Sequence, residues 1–177
     1  MNQGVYYIRF GKIKNGLKQY YLAEKIQSEN HIIAQLAMTR SNLCSTHIKI
    51  GDFSSALDYL QKSNSLLKVF PSKFWKGVNY LYEARIYSKT NKKEKAEIFF
   101  EKARKLFENI SDPKKKADLL LELAKHYSRY NNTEMIKILC EQTASFKSYP
   151  SISKNEAIFL TKLILQLHVK NKVLVKI

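Results

Sequence analysis

Apolar positions along this chain recur at the spacing of helices. Tyr80, Ala84 and Tyr87 fall on one helical face, and Ala96, Phe99, Phe100, Ala103 and Leu106 fall on another. Near the C-terminus Leu160, Leu163, Ile164 and Leu167 make a third stripe. The pattern predicts helices near 2–10, 13–29, 31–49, 53–69, 72–89, 92–109, 113–129, 132–147 and 152–170. Glycine (5) and proline (3) are too scarce to interrupt them. Pro71 and Pro113 sit at the turns between repeats, where a helix start tolerates proline, Pro150 marks the last such turn, and Ser111-Asp112-Pro113 reads as a helix entry.

The same pattern repeats every 40 residues. Gly11, Gly51, Asn91 and Asn131 form one column, of residue types that tolerate a left-handed helix end. Upstream, Gly4, Cys44, Ala84 and Ala124 form a small-residue column, and Tyr7, His47, Tyr87 and Tyr127 a ring column. Downstream come Gly16, Ala56, Ala96 and Ile136, then Tyr20, Leu60, Phe100 and Cys140, then Ala23, Ser63, Ala103 and Thr143. Small residues let two helices approach closely, and a ring fills the space beside them. One helix pair cannot bury its apolar face alone, so the pairs are expected to stack.

The third copy, Tyr80-x3-Ala84-x2-Tyr87-x8-Ala96-x3-Phe100-x2-Ala103, resembles the tetratricopeptide repeat family. The second copy carries Leu43-Cys44-x2-His47, Gly51-Asp52-Phe53 and Ala56. The fourth carries Leu123-Ala124-x2-Tyr127 but departs from the pattern at Ile136, Cys140 and Thr143. HEAT repeats share the length of about 40 residues, but the order of small and aromatic positions favours the tetratricopeptide type. The resemblance implies an all-α fold: a right-handed α-α superhelix of about four helix pairs plus a C-terminal helix. A single array is expected over 1–177, with repeats at 1–29, 31–69, 72–109, 113–147 and 152–177. The first and last repeats are partial, which fits either a piece of a longer array or open ends covered by self-association.

Charge changes this picture most. Thirty-one Lys+Arg stand against 15 Asp+Glu, a formal charge of +16. Either an acidic partner or a lysine-rich solvated exterior accounts for that balance. Arg9, Lys49, Lys89 and Arg129 recur every 40 residues, and Arg85 and Lys125 add a second basic row one turn away. The resemblance implies that first helices line a concave groove. It places Asn42, Ser45 and Lys49, then Tyr82, Arg85 and Lys89, then Glu122, Lys125 and Arg129 there. Such a groove would suit an acidic peptide or a terminal carboxylate. The ligand-binding set is therefore expected to be Arg9, Asn42, Lys49, Tyr82, Arg85, Lys89, Lys125 and Arg129.

No motif for catalysis, phosphate binding or metal binding occurs in the chain. His47 falls in the packed ring column, and His31, His126 and His168 have no ligand partners at a suitable spacing. Cys44 and Cys140 fall on core columns as free thiols, and Asp52 is a capping residue. No enzyme activity, cofactor or metal is expected. No apolar run is long enough to span a bilayer, and the N-terminus has no signal-peptide pattern, which points to the cytoplasm. Forty-residue arrays are similar to the sensory parts of bacterial peptide-sensing regulators, which implies a protein or peptide partner. Nucleic-acid binding is the alternative that the charge and the 11 tyrosines permit. A structural scaffold that forms homo-oligomers through its ends is the third.

Overall fold

The computed structural model describes residues 3–108 and 113–144. Every described element is an α-helix: α1 Gln3–Arg9, α2 Ile13–Glu29, α3 Ile33–Ile50, α4 Phe53–Val69, α5 Lys73–Lys89, α6 Lys93–Glu108, α7 Pro113–Arg129 and α8 Thr133–Ala144. The starts and stops follow the periodicity closely. The helix expected at 152–170 and the side chains of Cys140 and Thr143 lie outside the described residues.

The turns explain why the helices stop where they do. Gly11 and Gly51 have φ of 73° and 84°, and Asn91 and Asn131 have φ of 57° and 53°. A residue with a Cβ rarely adopts this conformation, and asparagine is among the exceptions. At each turn the next backbone N–H reaches back five residues to the carbonyl of the ring column. Lys12 donates to Tyr7 at 2.9 Å, Asp52 to His47 at 3.0 Å, Lys92 to Tyr87 at 2.9 Å and Asn132 to Tyr127 at 3.0 Å. One helix stop thus recurs with the 40-residue period, and it satisfies carbonyls that a helix end would leave unpaired. His31 makes the same stop between α2 and α3, with φ of 53° and the N–H of Ile32 bonded to Gln27 at 2.8 Å. Nothing in the column pattern marked it.

The chain divides into two compact units, Met1–Leu106 and Phe107–Ile177. In the first, α1 packs on α2, α2 on α3, α3 on α4 and α4 on α5, and α3 also reaches α5. The small columns lie at these contacts: Gly4, Cys44, Ala84, Gly16 and Ala56 are all buried, as is Ala96 on α6. Gly4 has no room for a side chain, since a Cβ there would stand 2.6 Å from the Tyr20 ring. Phe99 of α6 sits against Tyr80 and Tyr87 of α5, with ring centroids 5.9 and 5.5 Å away. In the second unit α7 packs on α8. Leu119, Leu123, Ala124 and His126 are buried on α7, and Ile136 and Leu139 on α8.

Candidate functional site

The recurring cations share a structural position. Arg9, Lys49, Lys89 and Arg129 stand in the last turns of α1, α3, α5 and α7. Four unpaired carbonyls gather at such a helix end, and it favours positive charge. Lys49 shows the effect directly, donating from Nζ to the carbonyl of Ile8 at 3.2 Å. This bond joins the end of α3 to the end of α1, and Arg9 follows Ile8 immediately.

A second cluster lies where α3 meets α5. Tyr82 packs against the buried Cys44, Ile48, Ala56, Leu60 and Ile86. The Arg85 guanidinium lies over the Tyr82 ring, 5.8 Å from its centroid, and both side chains are half-buried. Arginine stacks on aromatic faces in this way, and its planar fork matches the geometry of a carboxylate. Lys89 is exposed one turn further along α5. Asn42 is half-buried on α3, where its backbone carbonyl accepts from Thr46 Oγ1 at 2.8 Å.

The expected set thus resolves into groups. Arg9 and Lys49 stand at the ends of α1 and α3, which the bond from Lys49 to the Ile8 carbonyl joins. Tyr82 and Arg85 form a packed pair on α5, with Lys89 beyond them. Lys125 and Arg129 belong to α7 of the second unit, where both are exposed and Lys125 pairs with Glu122 at 2.9 Å.

The cysteine and tyrosine chemistry here is subdued. Burial pushes the Cys44 thiol up to about 12, against the opposing influence of Arg85. It stays protonated at neutral pH and is a poor nucleophile. Burial, and then Tyr82, push the Tyr20 hydroxyl up to about 12 as well.

Two polar constructions carry no signal in the column pattern. In the first, Tyr21 Oη lies 3.2 Å from His47 Nε2, and His47 Nδ1 lies 3.2 Å from Asp52 Oδ2. Tyr59 stacks on the His47 ring at 5.4 Å, and burial, with Glu24 and Tyr21 beside it, pushes its hydroxyl up to about 12. Both nitrogens of His47 are engaged, so this chain of contacts clips α2, α3 and the cap of α4 together. In the second, Ser41 of α3, Ser63 of α4 and Asn79 of α5 meet in the core, each at most 1% exposed. Ser41 Oγ donates to Asn79 Oδ1 at 2.7 Å, and Ser63 Oγ donates to the Ala37 carbonyl at 3.0 Å. Asn79 Nδ2 donates to Ser63 Oγ at 3.0 Å and to Asn64 Oδ1 at 2.8 Å. Ser63 fell in a small-residue column, but its hydroxyl, not its size alone, serves the junction.

No protein-family model, curated protein or solved structure matches the chain significantly. Among the described residues no helix is long and apolar enough to cross a membrane.

Proposed function

We propose that this chain is a partner-binding repeat module of the tetratricopeptide type, part of a bacterial regulatory protein acting in the cytoplasm. Its helix pairs would continue one another as a right-handed superhelix. The first helices of the pairs would take a protein or peptide segment that carries acidic side chains or a terminal carboxylate. The observation that carries this reading is the Arg85–Tyr82 pair at the α3–α5 contact. Packing fixes the ring, the ring orients the guanidinium, and Lys49 and Lys89 add positive charge at the neighbouring helix ends.

The formal charge of +16 also suits a nucleic acid. Three of the rings favour the peptide reading: Tyr20 is buried, and Tyr80 and Tyr87 are packed against Phe99, so they are poorly placed to stack on bases.

Fluorescence anisotropy separates the two. The probes are a labelled acidic peptide with a free C-terminus and a labelled single-stranded oligonucleotide. The peptide is expected to bind and to weaken by about tenfold or more in the Arg85→Ala/Lys89→Ala variant, the scale of lost charge-assisted hydrogen bonds. Its affinity should depend weakly on salt. Tight oligonucleotide binding with a log–log salt slope of about 0.7 per phosphate contact would instead assign the basic surface to nucleic acid.

A further inference from the structure

A second concave feature lies in the first unit and shares no residue with the proposed partner face. Asn64, Leu67 and Lys68 of α4, Pro71 and Ser72 of the turn, and Lys73, Lys76 and Tyr80 of α5 line an open pocket of about 530 Å³, with the three lysines exposed at its surface. That volume lies within the range of small-molecule sites, roughly 300–1,000 Å³. Leu67, Pro71 and Tyr80 give it an apolar wall, and Lys68, Lys73 and Lys76 supply three cations.

Three features of this pocket point to one ligand chemistry. First, Lys68, Lys73 and Lys76 have no anionic partner among the described residues, and of the three Lys76 alone lies over a ring, 6.0 Å from the Tyr80 centroid. The first turn of α5 contains no acidic residue. Lys73 and Lys76 occupy that turn, the end of a helix that disfavours positive charge. An anion in the pocket would relieve the repulsion among the lysines and between them and the helix end.

Second, one amide side chain of the pocket wall is held in place. Asn79 Nδ2 donates to Asn64 Oδ1 at 2.8 Å, and Asn79 is held by Ser41 and Ser63 in the buried polar junction. With its oxygen engaged, Asn64 keeps its amide N–H groups to offer to the pocket it lines. The core junction thus fixes a side chain of the pocket wall.

Third, the donors are lysines and an amide, with no arginine among the lining residues. Lysine acts on phosphate as a point charge, and three such cations around one pocket suit a multiply charged phosphate better than a lone carboxylate. We infer that the α4–α5 pocket is a binding site for a phosphorylated small molecule, up to the size of a nucleoside phosphate. Its phosphates would sit among Lys68, Lys73 and Lys76, and Asn64 would donate a hydrogen bond to them.

The protein contains its own reporter. Trp75 is the single tryptophan of the chain, and its backbone N–H donates to Ser72 Oγ of the pocket rim at 3.3 Å. Titration of the whole chain with inorganic pyrophosphate and with adenosine diphosphate, followed by Trp75 fluorescence and by calorimetry, tests the site. One saturable site is expected for both probes. The Lys73→Ala/Lys76→Ala variant is expected to weaken it by about tenfold or more. The Lys14→Ala/Lys18→Ala variant removes the same charge from α2 and is expected to leave it intact. Circular dichroism of both variants checks that the helices persist. Absence of saturable binding, or equal weakening by the two double variants, would overturn the assignment. In the second case general attraction to a basic protein explains the binding. The Arg85→Ala/Lys89→Ala variant should bind pyrophosphate normally, so failure of the partner face and failure of this pocket are distinguishable.

Discussion

Asp52 closes α3 and opens α4. One carboxylate oxygen accepts the backbone N–H of Ser55 at 3.0 Å, and the other faces His47 at 3.2 Å. Its hydrogen bonds to Ser55, with His47 in support, hold its pKa below the ordinary 3.8. A depressed carboxylate contributes stability above its unfolded pKa and loses it as pH falls through the folded value. Acid unfolding should therefore steepen below about pH 4, the unfolded range of aspartate. Asp52→Asn keeps a cap acceptor and removes the titration. Thermal melts from pH 6 to pH 2 should show a shallower acid loss for this variant, and an unchanged acid slope would remove Asp52 from the account. The capping role was legible in Gly51-Asp52-Phe53, because a short acceptor after a left-handed stop has few other uses. The contacts of His47 with Tyr21 and Tyr59 were not, because they join residues that no periodicity relates.

At the level of helices, the columns carried most of the information. The left-handed stops at Gly11, Gly51, Asn91 and Asn131 bound the elements, and the small columns mark where helices touch. Both follow from local rules: glycine and asparagine tolerate positive φ, and close packing needs small side chains. The Ser41–Ser63–Asn79 junction escaped because an apolar stripe does not reveal which polar residue within a helix turns inward. Its energetic weight is testable. Asn79→Ala removes three side-chain hydrogen bonds from the junction and opens a small cavity, while Ser41 and Ser63 keep each other and the Ala37 carbonyl. A loss of roughly 2–3 kcal/mol is expected. Urea unfolding followed through Trp75, one turn away on the same helix, measures it. A loss under about 0.5 kcal/mol would mean that the junction relaxes or admits water.

Over the whole molecule, charge and repetition act together. The basic column was legible as a 40-residue recurrence, but its structural cause was not. Arg9, Lys49, Lys89 and Arg129 all occupy last turns of helices, where the backbone itself favours a cation. Part of the column is therefore explained without any ligand. What distinguishes the proposed face is the Tyr82–Arg85 pair, which sequence alone could place only through the family resemblance. The α4–α5 pocket had no sequence signal at all, since its lysines come from two helices and share no column of the repeat.

The central claim is that the first-helix face recognises an acidic protein or peptide. Its most direct test is recovery of the tagged chain from its host lysate, with half the sample treated with nuclease, and identification of what remains bound. A protein or peptide that survives nuclease and is lost from the Arg85→Ala/Lys89→Ala variant is expected. Recovery of nucleic acid alone, or full retention of the partner by that variant, would contradict it.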